Sequence, residues 1–358
     1  MKKTLAAVAI LGAFAGSALA DVTVYGIVDL GLGYTHADDG TDKVTMESGM
    51  DSANRVGFLA SEKIGDVTVG VKLENSFKGD TGADGAGGFF NRETRLYVQG
   101  AYGEVGFGRF GALDSTTGPY NLAGSSIHAT TGINGIAKSG VVFLGENSRL
   151  ANAIAYKSPK FGGAQVYAMY ATAEGDENTH EGDRYYGLGA RYTAGALTAT
   201  LVASLEDGGD TAPVEFDAGD FSCDCDDTEA VAHAKGEETK TVTAAVSYDF
   251  GVTKAMVAAQ YFGNAKTTDY GWVDGFGVTM GAVTPVFGGS LKTQVGYMEA
   301  EDVADSAKEY KAYNVGALYY YDFSKRTTVY GGLGFTNKDF GATEEQTING
   351  ALGLIHKF

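Results

Sequence analysis

The sequence is poor in the residues that crosslink small secreted folds. It holds two cysteines, four prolines and one tryptophan in 358 residues. The cysteines, Cys223 and Cys225, are two positions apart, so they provide no disulfide framework between distant parts of the chain. Basic residues are also scarce, because 27 lysines and arginines accompany 45 acidic residues and the net charge is −18. An acidic excess of this size argues against a partner that is a nucleic acid.

Long hydrophobic runs are absent after the N-terminus. Residues 1–20 combine a basic start, an apolar run and the triplet Ala18-Leu19-Ala20, which is typical of a cleaved secretory signal peptide. Loss of this segment, with Lys2 and Lys3, leaves 338 residues, of which 25 are basic and 45 acidic, and a net charge of −20. No later segment has the roughly 18 uninterrupted apolar residues that a membrane-spanning helix requires. A membrane span in this chain would therefore be a closed β-barrel, in which backbone groups pair between strands.

Glycine, aromatic residues and strict alternation are what the sequence does contain. There are 53 glycines, 19 phenylalanines and 21 tyrosines. Over residues 67–74, Val or Leu alternates with Thr, Gly, Lys and Glu, and similar segments recur in pairs to the C-terminus. Short turns alternate with long polar loops, such as 35–50, as in outer-membrane barrels with short periplasmic turns. We count sixteen strands, or eighteen if residues 112–146 contain an extra hairpin.

A soluble β-sandwich also shows alternation, but it packs one apolar face against another. Here the second face of the strands carries Thr, Gly, Lys, Glu, Arg, Tyr and Gln. Charged side chains that point inward require water in the middle of the fold. The sequence therefore predicts an all-β fold, a 16-stranded antiparallel transmembrane β-barrel formed by residues 21–358, which encloses water.

The segment between Arg109 and Asn147 interrupts this pattern. The residues from about 112 to 146 show little sustained alternation and are mostly small or polar. A connection of this length inside a compact fold is usually functional or disordered. We predict that it folds back into the lumen of the barrel and forms a constriction loop.

Five features stand out in order along the chain: Val22–Asp29, Asn54–Phe58, the turn Glu62–Gly65, Tyr102–Arg109 and a last strand that ends in Phe358. Together they resemble general-diffusion porins of Gram-negative bacteria, of the Neisseria and Comamonas type. The resemblance covers the whole chain and implies an outer-membrane protein that is exported through the periplasm and assembles as a homotrimer. It implies a passive, water-filled path for small hydrophilic solutes and ions, contact with outer-membrane lipid and lipopolysaccharide, and neither enzyme activity nor a cofactor.

The resemblance also implies a constriction in which wall arginines face acids on the third loop. By position the arginines are Arg55, Arg92 and Arg109, and the nearest loop acid is Asp114. This chain departs from the family because it lacks the usual Pro-Glu-Phe-Gly-Gly run and has no acid in residues 115–137. We expect a weak preference for anions, or little selectivity.

Strand alternation supports part of this set. It turns Arg55, Lys72 and Arg95 inward but turns Arg92 and Arg109 towards lipid. A charge that faces lipid at the membrane centre costs about 2–4 kcal/mol, so a bulge or a strand end must redirect these two arginines. The predicted constriction residues are Arg55, Lys72, Arg92, Arg95, Arg109 and Asp114.

Other features allow alternatives. An aromatic track of Tyr97, Phe110 and Tyr120 would suit a substrate-specific channel with a saturable site. A barrel hydrolase that used Ser125, Ser126 and His128 is a weaker alternative, since nearness in sequence is not catalytic geometry. The acidic loop 207–239 offers oxygen ligands for Ca²⁺ or Mg²⁺ without an EF-hand spacing, and a solvated outer loop is the simpler interpretation. Its weak metal candidates are Asp217, Asp220, Asp224 and Asp226.

Overall fold

The computed structural model describes most of the chain after the predicted signal peptide. No helix among the described residues is long and apolar enough to cross a membrane. Residues 1–20 and the metal candidates Asp217, Asp220, Asp224 and Asp226 lie outside the described residues. The described ranges are 21–85, 88–122, 136, 141–145, 149–172, 184–207, 238–267, 271–339, 341 and 343–358.

In the described part of the chain, seventeen strands, all antiparallel to their neighbours, form one sheet. The strands are β1 (Asp21–Ala37), β2 (Asp42–Ser48), β3 (Arg55–Ile64), β4 (Val67–Ser76), β5 (Glu93–Gly100), β6 (Gly103–Phe110), β7 (Leu150–Lys157), β8 (Ala164–Ala171), β9 (Arg184–Ala194), β10 (Leu197–Asp207), β11 (Thr239–Asp249), β12 (Lys254–Thr267), β13 (Gly271–Val286), β14 (Gly289–Asp302), β15 (Glu309–Asp322), β16 (Thr327–Asp339) and β17 (Glu344–Lys357).

The sheet closes on itself because its first and last strands pair. Residues 27–37 of β1 lie opposite residues 347–357 of β17. Along its other edge β1 pairs with β3 through residues 21–27 and with β2 through residues 30–36. β2 and β3 are therefore two parts of one wall strand, and the barrel has sixteen strands, as predicted. No described residue between 112 and 146 belongs to a strand, and β6 pairs directly with β7, so no hairpin lies between these two strands in the wall.

The first long connection differs from the prediction. We expected residues 35–50 to be a polar loop, but β1 extends to Ala37 and β2 follows after a short turn. Val44 and Met46 alternate with charged residues and face outward, at 69% and 62% exposure. The abundance of Asp, Gly and Thr hid this short alternation. Residues 49–54 then bend inward, where the buried carboxylate of Asp29 accepts hydrogen bonds from the amides of Asp51 (2.8 Å) and Ser52 (2.7 Å).

The two faces of the strands separate as the alternation predicts. On β11, Thr241, Thr243 and Ser247 point inward and are buried, whereas Val242 and Val246 point outward and are exposed. An exterior of apolar side chains suits hydrocarbon, and a polar inner face suits water. The chain therefore has its polar face inside, the reverse of a soluble protein.

We predict that a charge on the exterior face destabilises the barrel according to its depth. Leu201 lies at the middle of β10 and Leu197 is the first residue of the same strand on the same face. Leu201→Arg should lower the free energy of unfolding by about 2–4 kcal/mol, and Leu197→Arg by about 0–1 kcal/mol, because the cost falls towards the interface. Urea unfolding in lipid vesicles measures both, and equal losses would contradict the assignment of this face to lipid.

Candidate functional site

The connection between β6 and β7 is described at residues 111–122, 136, 141–145 and 149; these parts contact the inner wall of the barrel, and we call them the inward loop. Its first part, residues 111–122, packs against the inner faces of β7–β10. Leu113 and Leu122 are fully buried there, in a cluster that includes Met169 and Tyr185. The amide of Leu122 donates to the carbonyl of Leu113 at 2.8 Å, which closes this part of the loop into a compact turn.

Two further parts of the inward loop contact other sectors of the inner wall. Val142 and Phe143 pack against inward side chains of β12–β15, such as Phe262. The side chain of Ile136 packs with residues of β15–β17. The Asn349 amide donates to the Ile136 carbonyl at 3.1 Å. The described parts of the loop thus touch the inner wall in three sectors, all between β7 and β17.

The inner wall is adapted to these contacts in a way that we did not predict. We expected a polar inner face, yet Phe262, Met298 and Leu318 point inward and are buried beneath the loop. Gly277 also faces this region, and a Cβ there would overlap the Val142 carbonyl oxygen. An apolar patch inside a polar wall allows the loop to bury its own apolar side chains.

Asp114 holds the inward loop to the wall and does not line the lumen. Its carboxylate has no exposed surface, so its predicted place among the pore-lining residues is wrong. It accepts hydrogen bonds from the hydroxyls of Tyr185 (3.0 Å), Ser204 (2.6 Å) and Thr241 (3.4 Å). Burial is the main cause that raises the pKa of Asp114 to about 6, and the charge of Glu206 adds to it, against these hydrogen bonds.

The predicted cations other than Arg109 lie elsewhere, on the inner side of β3–β5, beside Glu74 and Glu93. The Glu74 carboxylate is 2.6 Å from Arg92 Nε and accepts a 2.6 Å hydrogen bond from the Tyr25 hydroxyl. It is also 3.5 Å from Lys72 Nζ and 3.9 Å from Arg55 Nη1. One carboxylate thus contacts three of the predicted basic residues.

Further ion pairs, formed by Glu93 and Glu104, extend this arrangement along the inner wall. Glu93 contacts Lys72 Nζ at 2.7 Å and Arg95 Nε at 2.8 Å. Arg95 Nη1 then lies 2.6 Å from Glu104, which also contacts Lys157 Nζ at 3.0 Å. We call the whole series the charge ladder; its members are Arg55, Lys72, Glu74, Arg92, Glu93, Arg95, Glu104 and Lys157.

Cross-strand register explains the geometry of the charge ladder. Glu74 lies directly opposite Glu93, and Lys72 directly opposite Arg95. Like charges that face each other across a strand pair are destabilising. Lys72 therefore reaches diagonally to Glu93, which joins β4 to β5. Arg95 pairs instead with Glu93 on its own strand and with Glu104 on β6.

The two arginines with the wrong strand phase differ in the structure. Arg92 immediately precedes β5, so alternation does not constrain it, and its side chain reaches Glu74 inside the barrel. Arg109 lies between the inward-facing Gly108 and Phe110 and opposite the exposed Thr94, so it keeps the outward phase of β6. Its Nε donates to the Asn91 carbonyl at 2.9 Å, just before β5 begins. A strand end thus accounts for Arg92, whereas the register shift between β6 and β7 does not turn Arg109 inward.

A fourth arginine joins them, which we did not predict. Arg149 Nε donates to the Arg92 carbonyl at 2.9 Å. Burial, and then the positive charge of Arg92, lower the pKa of Arg149 to about 10, and Arg109 and Arg55 contribute in the same direction. We call Arg55, Arg92, Arg109 and Arg149 the arginine cluster. Among the described residues, Glu74 is the one acid in ion-pair contact with it.

We also did not predict Glu104 and Lys157 as site residues. The alternation of Val105 and Phe107 with Glu104 already turned this glutamate inward, so the sequence held the signal for it. Lys157 lies opposite Glu104 on β7. Only strand pairing reveals that contact, because 53 residues separate the two.

The structure removes two members of the predicted aromatic track. Phe110 and Tyr120 are fully buried where the inward loop packs against the wall and do not line a path for solutes. Tyr97 remains on the inner face, where the Arg95 guanidinium lies 4.4 Å from its ring centre. No group of three His, Cys, Asp or Glu side chains in the described part of the chain is arranged to hold a metal ion.

Comparisons with known proteins agree with this architecture. The profile of a family described as Gram-negative porin matches residues 5–341. Outer membrane porin protein 32 of Delftia acidovorans is 29% identical over 95% of this chain and 91% of that protein. The major outer membrane protein P.IB of Neisseria meningitidis is 26% identical, with full coverage of both chains.

Solved structures share the fold. The anion-selective porin from Comamonas acidovorans superimposes with a TM-score of 0.70 at 24% identity, over 95% of this chain and all of that one. The trimer form of OmpT from Vibrio cholerae superimposes with a TM-score of 0.65 at 14% identity, over 95% of this chain and all of that one.

We predict that Asp114 makes stability depend on pH. Because its pKa is raised, Asp114 binds a proton more tightly in the folded state than in the unfolded state. The stabilisation of the folded state that results is fully present below the unfolded pKa of about 3.9 and is lost as pH rises through about 6. From pH 7.5 to 5.0 the wild type should gain about 1 kcal/mol relative to Asp114→Asn.

Denaturant unfolding at both pH values measures this difference. Asp249→Asn, which changes an exposed aspartate at the end of β11, is the matched control and should keep the wild-type pH dependence. If Asp114→Asn kept the same pH dependence as the wild type, Asp114 would not be the titrating group.

Proposed function

Since the chain belongs to the Gram-negative porin family and is an outer-membrane channel for passive diffusion of small hydrophilic solutes, we propose that its lumen narrows between the inward loop and the charge ladder and favours small anions there. The arginine cluster is the observation that carries this proposal. Among the described residues, two of its guanidinium groups pair with the one carboxylate of Glu74 and the other two donate to backbone carbonyls, which leaves an excess of positive charge. Fixed charge at a narrow point biases permeation without tight binding.

Charges at the constriction affect ion selectivity more than charges at the wide mouth of the channel do. The acidic outer loops attract cations to the mouth of the channel, in opposition to the cluster. Screening acts over roughly 8–10 Å in physiological salt, so charges matter most where the passage is narrow. Partial burial of the cluster weakens this screening further. The anion preference therefore arises at the wall of β3–β7.

The glutamates of the charge ladder limit that preference. Glu74, Glu93 and Glu104 each contact two or more basic side chains. A passing anion competes with these carboxylates and is released easily, which suits diffusion down a gradient. We expect modest selectivity and a current that does not saturate. The solved porin from Comamonas acidovorans, whose description reads anion-selective, supports the sign of this preference.

Passage requires no covalent step, and we propose that the chain has no enzymatic activity. The serines and the histidine of the hydrolase alternative, Ser125, Ser126 and His128, lie outside the described residues. The proposal rests on the family, whose members are channels.

We propose that three copies assemble in the outer membrane and that lipid, including lipopolysaccharide, covers the remaining exterior. The trimer form of the Vibrio cholerae relative supports the assembly. The exposed apolar side chains of the outer face support contact with lipid. Chemical crosslinking of the protein in native membranes should give a species of three times the chain mass. If crosslinking gave no species larger than one chain, this result would contradict the trimer.

We predict that neutralising the arginine cluster reduces anion selectivity. In a planar bilayer under a KCl gradient, Arg55→Gln, Arg92→Gln, Arg109→Gln and Arg149→Gln should each lower the anion-to-cation permeability ratio by roughly a factor of two, since each removes one of four neighbouring cations. The reversal potential measures the ratio. Lys325→Gln, in the exposed turn between β15 and β16, is the matched control and should change little.

Three results would revise the proposal. Wild-type ratios in all four variants would remove the arginine cluster from the selectivity site. A cation-selective wild type would show that the outer loops dominate. A current that saturates with one solute would favour the substrate-specific alternative.

A further inference from the structure

A shallow groove crosses the exterior of β7–β11. Its volume is about 670 Å³, and side chains from five neighbouring strands line it. These side chains form two rows that follow the register of the strands. One row contains Ala168, Leu188 and Ala203 as direct cross-strand neighbours. The other contains Tyr170 and Tyr186, and its last member is Lys240. The groove thus runs obliquely across the lipid-facing wall.

The concave shape has a simple cause. Ala168 and Ala203 are short side chains on either side of Leu188, so the floor of the groove lies close to the backbone. Tyr170 and Tyr186 stand beside it, with ring centres 5.1 Å apart and planes tilted by 43°. Adjacent strands lie about 4.8 Å apart, so the distance from β7 to β11 is on the order of 19 Å. An extended fatty acyl chain is of comparable length.

One end of the groove carries a cation. Lys240 lies at the start of β11, directly after the long connection from β10, whereas β9–β10 and β11–β12 are joined by short turns at the other end. In barrels of this class the long connections are extracellular. Lys240 Nζ is 3.1 Å from Glu238, and both side chains are largely exposed, at 58% and 41%. An exposed pair of this kind contributes little, so Lys240 can exchange its partner for a phosphate.

We propose that this groove binds an acyl chain of a phosphate-bearing lipid of the extracellular leaflet, namely the lipid A part of lipopolysaccharide. The acyl chain lies over Ala168 and Ala203, and Lys240 contacts the phosphate. The apolar lining selects the chain, and the cation at the extracellular end selects the charge and the leaflet. This inference rests on the proposed contact with lipopolysaccharide and gives it a location.

Lipid binding to the purified, delipidated full-length protein tests the proposal. Native mass spectrometry in detergent should detect one tightly bound lipid A per chain. Dephosphorylated lipid A should bind about fivefold more weakly, since a lysine near anionic lipid contributes about 1 kcal/mol. Lys240→Ala should lose this difference, whereas Lys266→Ala, which removes an exterior lysine of β12 outside the groove, should retain it.

Filling the groove gives a second test that does not depend on charge. Ala203→Phe should reduce lipid A binding at least fivefold, because its ring occupies the floor. Ala190→Phe places the same ring on an exterior alanine of β9 outside the lining and should bind as the wild type does. Single-channel conductance of each variant verifies that the barrel has folded.

The outcomes separate the groove from the broader proposal. If the Ala203→Phe and Ala190→Phe variants both bound lipid A as the wild type does, the groove would not be the binding site, but the proposed contact with lipopolysaccharide would stand. Absence of any tight lipid A binding would overturn both. A phosphate-independent affinity would overturn the role of Lys240. A higher oligomer in the wild type after delipidation, absent in Ala203→Phe, would show that a second copy of the chain occupies the groove.

Discussion

Pairing of backbone groups is the constraint on which the rest of the structure depends. In hydrocarbon an unpaired amide or carbonyl has no water to bond with, so a sheet that spans the membrane must have no free edge. The pairing of β1 with β17 meets this requirement. Closure divides every strand into a face towards lipid and a face towards the lumen. The polar and charged side chains that would be costly outside are thereby collected inside.

The inside of the barrel is itself divided. Between β7 and β17 the wall carries apolar side chains, such as Phe262 and Leu318, that hold the inward loop. Between β3 and β7 it carries the charge ladder. The loop needs the first surface because burial of its own apolar residues holds it inside a water-filled space. The second surface borders the path that we propose for solutes. Asp114 belongs to the first, which explains why its carboxylate is buried and bonded to hydroxyls, away from the arginines.

Much of the candidate site was predictable, and the failures have identifiable causes. Alternation alone placed Lys72 and Arg95 inside, because both lie within regular strands. It failed at Arg92, since this residue lies just outside the strand end of β5 and the period of two does not constrain it. It could not find the contact of Glu104 with Lys157, because alternation within one strand gives no information on its pairing with the next.

By itself the sequence determined which face of each strand meets lipid, and hence a closed barrel of sixteen strands, because the period of two survives wherever a strand is regular. The tertiary structure decided where the inward loop rests, which carboxylates neutralise which cations, and that Arg149 joins Arg55, Arg92 and Arg109. These are contacts between residues far apart in the chain. Their geometry depends on register, on bulges and on closure of the sheet, and local patterns of hydrophobicity contain none of these.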